Sequence, residues 1–119
     1  MAVPVTLYPA DDFERTHLAD DLTAAGYVPT QPKAAFDREK IERIGTAMRD
    51  GSFDWLRSAQ QPVILGPNGE VLGGHHRVVA AHLAGIDLAS VPGPLPQVRQ
   101  LPVCHRPVYD WEDVLPDVA

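Results

Sequence analysis

The chain has 119 residues, a mass of 13.0 kDa, 45% apolar residues and a formal net charge of −6, which bounds it to one compact domain with a single core. Its uninterrupted apolar runs are only a few residues long and its start, MAVPVTLYPADD, has no basic n-region, so membrane spans and an export signal are not expected and the chain reads as cytoplasmic. The single cysteine, Cys104, excludes an internal disulfide and any CxxC metal knuckle, and it is expected to serve as a small buried apolar residue.

The charge is unevenly spread. Residues 1–32 carry five acids and one base, residues 107–119 four acids and no base, and residues 33–106 seven acids and nine bases. A slightly positive middle on an acidic chain suits a small anionic ligand in a local pocket. It does not suit a broad DNA-tracking surface.

In chain order, Val3 to Tyr8 reads as a Pro-interrupted edge strand. Asp11 or Asp12 caps a helix to about Ala25, with Phe13, Leu18, Leu22 and Ala25 as its apolar stripe and Gly26 as its stop. Tyr27 to Ala35, with Pro29 and Pro32, reads as an extended connection. Asp37 is the N-cap of a clearer helix with Ile41, Ile44 and Met48 on one face and Gly51 as its C′ residue. Ser52 to Gln60 is a loop or short helical turn. Pro62 to Leu65 and Glu70 to Leu72 flank Gly66-Pro67-Asn68-Gly69, a hairpin signal. The spacing predicts a helix from His75 to Ala84, closed by Gly85 and an apolar stop contact from Ile86. Leu101 to Arg106 is the last expected strand, and Tyr109 to Leu115 a final acidic helical turn pinned by Trp111. Together these give a small α/β (α+β) domain, a mixed sheet of about four strands with about three helices.

Gly73-Gly74-His75-His76-Arg77 is the most informative stretch. Free N–H groups of a helix start, a favourable dipole and glycines that admit close approach form an anion site. Arg77 is the strongest binding candidate, since a guanidinium forks onto two phosphate oxygens. Gly73 and Gly74 would expose the backbone. His75 and His76 leave the helix roughly 100° apart, so one can meet a ligand while the other braces the loop, and either can shuttle protons or bond backbone. Glu42 is a weaker catalytic candidate on a charged helix face, beside Glu39, Asp54 and Glu70 as further carboxylates. His82 sits among Val78, Val79 and Leu83 as a core or edge histidine, and no dedicated zinc site is expected from the spacing.

The run from Gln61-Pro62-Val63-Ile64 through Gly74-His75-His76-Arg77 and Ala80-Ala81 to Gly85-Ile86 resembles the ParB/sulfiredoxin-like family, in the manner of short ParB-like domains of bacterial polymorphic toxins. The resemblance covers residues 33–91 of a single domain spanning 1–119, with 107–119 as an acidic tail. It implies a ParB/sulfiredoxin-like fold and nucleotide phosphates, of ATP or CTP with Mg2+, held at the helix start by Gly73, Gly74, His76 and Arg77. His75 stands where sulfiredoxins carry their reactive cysteine, so sulfinic acid reduction is not expected, and the role is not transferred to Cys104-His105-Arg106. Three functions stand at this point. The first is phosphoryl transfer or phosphoester hydrolysis, with His75 as general acid/base and His76 on the phosphates. The second is a nuclease-type toxin acting on nucleic acid in a target cytoplasm, with an immunity protein as partner. The third is a non-catalytic module switched by nucleotide.

Overall fold

The computed structural model describes residues 6–118. It is a four-stranded mixed sheet with five α-helices, the class expected but with two more helices. Helix α1 spans Asp12–Ala24, strand β1 Val28–Pro29, α2 Arg38–Asp50, α3 Trp55–Gln60, β2 Val63–Leu65, β3 Glu70–Gly73, α4 His75–Leu83, β4 Val98–Gln100 and α5 Trp111–Val114. Single 3-10 turns occupy Lys33–Ala35 and Leu88–Ser90. Among the described residues no helix is long and apolar enough to cross a membrane.

The strand order is β1-β3-β2-β4. β2 and β3 form the expected antiparallel hairpin, with a register shift between Ile64 and Leu65. β1 lies parallel to β3, and β4 parallel to β2. Pro29 has no N–H to give a ladder, which confines β1 to an edge. Its carbonyl is used all the same, accepting from the Tyr109 amide at 2.9 Å.

Capping sets the helix ends. Asp11 accepts from the Glu14 amide, Asp37 from the Glu39 and Lys40 amides, and Asp54 from the Arg57 amide. Each satisfies a first-turn donor that has no intrahelical partner. α2 and α4 make the most extensive helix contact; Ile41, Gly45 and Met48 of α2 and Val78, Val79, Ala80 and Ala81 of α4 are buried. Small residues at Gly45 and Ala80 let the two backbones approach, since a Cβ at Gly45 would stand 3.4 Å from the Ala80 carbonyl.

Several expectations are corrected. Of the Val3–Tyr8 strand, residues 3–5 lie outside the described residues and 6–8 are irregular. Phe13 is 73% exposed and Ala25 is exposed, so α1 buries Arg15, Leu18, Ala19 and Leu22 instead. The last strand is at 98–100 rather than 101–106, because pairing with Val63–Leu65 selects it. Cys104 is half-exposed rather than buried.

The acidic C-terminal segment is part of the core. Trp111, Val114 and Leu115 are buried, and the Trp111 Nε1–H donates to the Tyr27 carbonyl at 2.8 Å. The buried Arg15 guanidinium donates to the carbonyls of Glu112 at 2.8 Å and Leu115 at 2.6 Å. The Tyr8 hydroxyl donates to the Pro116 carbonyl; burial raises its pKa to about 12, so it stays protonated and a donor. Arg15 therefore satisfies carbonyls within and just after the short helix α5, which explains how a charge is tolerated inside.

Candidate functional site

β3 runs into α4 across Gly74 alone, the N-cap of α4, with φ 87°. The left-handed backbone and the crowding there both require glycine: a Cβ would lie 2.8 Å from Val63 Cγ2 and 3.1 Å from Arg77 Nη2. Glycine brings no capping side chain, so the first turn of α4 has no side-chain acceptor on its amides. The positive end of the helix dipole therefore has no side-chain cap.

Arg77 folds back over Gly74. Its Nη1 donates to the Ser58 hydroxyl at 3.0 Å and the Ser58 carbonyl at 3.2 Å, which fixes the guanidinium against α3. Burial lowers its pKa, yet a guanidinium stays charged at neutral pH. The ion pairs among the described residues are Arg15–Glu112, Lys33–Asp117 and His82–Asp21, and Arg77 is in none of them.

The two histidines brace the neighbouring loop. His75, buried, accepts the Thr30 amide N–H on Nε2 at 3.0 Å; His76, half-buried, accepts the Asp37 amide N–H on Nε2 at 2.9 Å. Phe36 lies between them, its ring centroid 5.5 Å from His75 and 5.7 Å from His76. An imidazole that accepts on Nε2 is neutral and carries its proton on Nδ1. Burial, with His76 and Arg106 nearby, drives the His75 pKa down to about 4. Burial and Lys40 lower that of His76, against an opposing effect of Asp37. His75 is therefore corrected from a proton shuttle to a neutral brace, because its basic nitrogen is already engaged and its protonated form is disfavoured near pH 7.

These residues open onto a cavity of about 510 Å³ lined by Gly73, Gly74, His75, His76 and Arg77, with Lys40 and Ile44 from α2, Phe53, and Asp54, Arg57 and Ser58 at α3. Arg106 completes it, anchored by its Nη1 donating to the Leu72 carbonyl at 2.8 Å. Lys40, Arg57 and Arg106, like Arg77, enter none of the ion pairs named above. Asp54 is the one carboxylate among these lining residues.

Five of the six proposed site residues, Gly73, Gly74, His75, His76 and Arg77, meet in this cavity; Glu42 does not. Its carboxylate accepts the Leu7 and Tyr8 amides, each at 2.6 Å, and ties the N-terminal segment to α2. That corrects its assignment as a catalytic group. Glu39 stands in the first turn of α2. Glu70 is turned into the hairpin, where its own amide and that of Asn68 lower its pKa against burial. Lys40, Arg57 and Arg106 were missed; each lies on a separate segment with no motif of its own, and only the tertiary fold gathers them. His82 is an edge residue 3.8 Å from Asp21.

The paired glycines are not equivalent, and this yields an expected outcome. Gly73→Ala meets only Ile64 at ordinary contact distance, 3.5 Å, so the change in stability should stay within about 0.5 kcal/mol. Gly74→Ala should cost about 2–4 kcal/mol through strain and the Val63 clash. Urea melts of both variants check this, and equal losses would contradict the assignment of Gly74 as the sterically required member.

No protein-family model, curated protein or solved structure significantly matches the chain.

Proposed function

We propose that the cavity binds the phosphate groups of a nucleotide, ATP or CTP accompanied by Mg2+, and that the domain carries out phosphoryl transfer or phosphoester hydrolysis. The observation that carries this reading is the gathering of four cations, none in an ion pair among the described residues, around a helix start with no side-chain cap, in a chain of net charge −6. The resemblance of residues 61–86 to the ParB/sulfiredoxin-like family points the same way. Arg77, pre-set by Ser58, forks onto two phosphate oxygens; Gly73, with no Cβ, lets a phosphate approach β3 and the first turn of α4. The Nδ1–H groups of neutral His75 and His76 are the imidazole donors. Asp54 is the carboxylate placed to hold the accompanying magnesium or orient an attacking hydroxyl. Fixed positive charge supplies the transition-state stabilisation, with no histidine acting as acid or base.

The neutral, engaged histidines also favour a second reading, a nucleotide-switched binding module without turnover. The toxin reading, with nucleic acid as substrate and an immunity protein as partner, loses support because the acidic segment that would have to move aside carries Trp111 and Leu115 into the core.

Calorimetric titration with ATP, CTP, GTP and ADP plus magnesium tests the proposal. Wild-type protein is expected to bind at least one nucleotide in the micromolar range, and Arg77→Ala to bind it about 30-fold or more weakly, as loss of two charge-assisted hydrogen bonds predicts. Arg77→Lys should fall between, keeping charge without the fork. A folded wild type that binds none of the four would overturn the reading; binding without turnover selects the switch.

A further inference from the structure

The four cations of the cavity answer to phosphate groups alone: an inorganic polyphosphate, a sugar phosphate and a nucleotide would meet them alike. The rest of the wall has a different chemistry. Ile44 of α2 and Phe53, in the connection between α2 and α3, line the same cavity. Both are half-buried and pack against the core, so each is held from behind while part of it stays accessible. Along α2, Lys40 is close enough to His76 to help lower its pKa, and Ile44 stands one turn further on, about 6 Å along the axis. The wall that α2 gives to the cavity thus passes from charged to apolar.

Phe53 is fixed by backbone and ring together. Gly51, with φ 85°, turns the chain at the end of α2, and the Ser52 and Phe53 amides both donate to the Ala47 carbonyl at 3.0 Å. The Phe53 ring then meets that of Trp55 in a T-shaped contact, centroids 4.6 Å apart, a favoured aromatic geometry. Trp55 is tied down in turn, its carbonyl accepting from Gln97 Nε2 at 2.9 Å. A ring set in advance loses little freedom when a ligand packs on it. The cavity volume of about 510 Å³ falls within the range of sites that enclose a whole small molecule.

We propose that Phe53, together with Ile44, is the nucleobase platform of this cavity, so that the site selects a nucleotide over an inorganic polyphosphate or a sugar phosphate. The assignment rests on the phosphate-binding function proposed for the same cavity and adds the residue that sets its ligand class. Contact between a base and an aromatic ring is tolerant of base identity, because every base has a π-face. The platform therefore separates ligands that carry a base from those that do not, rather than one base from another.

The test is calorimetry on the full chain with magnesium, comparing ATP, CTP and GTP with ribose 5-triphosphate, which keeps the sugar and the phosphates and lacks the base. Wild-type protein is expected to bind its best nucleotide about tenfold or more tightly than ribose 5-triphosphate. In Phe53→Ala that preference should shrink to within about twofold, and in Phe53→Tyr it should survive. Phe53→Leu, which keeps apolar bulk without a π-face, takes the place of Phe53→Ala if that variant does not fold. Arg77→Ala should weaken both kinds of ligand alike. Equal wild-type binding of nucleotide and ribose 5-triphosphate would overturn the platform and leave the phosphate site standing. So would a preference for the nucleotide that persists in full without the Phe53 ring. Binding of neither ligand by folded wild type would overturn the phosphate site and the platform with it.

Discussion

Gly69→Ala is expected to remove more than about 4 kcal/mol of stability, a large share of the roughly 5–15 kcal/mol that holds a domain of this size together. Gly69 has φ 83°, and a Cβ there would stand 1.8 Å from the Gly26 carbonyl oxygen and 3.0 Å from its carbon. The turn would have to lift from the α1–β1 connection. That lift breaks the bond from the Val28 amide to the Gly69 carbonyl, now 3.0 Å, which begins the β1–β3 pairing. Gly26 is the natural control: its φ is 90°, yet a Cβ there meets nothing within 4 Å, so Gly26→Ala should cost only the backbone strain, about 1–2 kcal/mol. Chemical denaturation of both variants separates clash from strain, and a Gly69→Ala cost no larger than that of Gly26→Ala would show that the turn does not sit on Gly26.

The second large effect is a loss of stability in mild acid. The folded protein keeps His75 neutral down to about pH 4, whereas in the unfolded chain it takes up a proton below about pH 6.5. Between those values unfolding binds a proton, so the contribution of His75 is fully present above pH 6.5 and is lost as the pH falls towards 4. The shift corresponds to about 3 kcal/mol, and the lowered pKa of His76 adds in the same direction. His75→Leu should be less stable than wild type by about 2 kcal/mol at pH 8, because the buried Thr30 amide loses its acceptor. It should lack most of the acid-dependent loss, so the gap between the two stability curves closes as the pH falls and the curves cross at about pH 5. Parallel curves between pH 8 and pH 4.5 would refute the role given to His75.

The parts of the fold readable in advance are those whose signals are local. Asp37 and Gly51 bracket α2 because a capping carboxylate and a left-handed glycine act within one turn. The β2–β3 hairpin and the start of α4 follow from Gly69 and Gly74 in the same way. β1 is two residues long and contains a proline, so its pairing with β3 rests on partners some forty residues away and leaves no alternation to read. β4 lies in a stretch where prolines interrupt any period, which is why the strand was placed three residues late. Nothing local in the sequence marks Arg15 for burial, because its carbonyl partners are about a hundred residues distant. For the site, the Gly-Gly-His-His-Arg run was readable because it is contiguous. Glu42 was misassigned because a charged helical face gives no hint that two backbone amides will fold onto it.

The twin histidines have a spectroscopic consequence. Most backbone amides in a protein donate to oxygen, but those of Thr30 and Asp37 donate to imidazole nitrogen. With both atoms of each bridge labelled with 15N, a scalar coupling between nitrogens can pass through the hydrogen bond itself. Two such couplings, from adjacent residues at the head of α4 to two points of one loop, make a built-in gauge. Any ligand that turns either ring, or any proton that lands on Nε2, extinguishes the corresponding coupling while leaving the other as its reference.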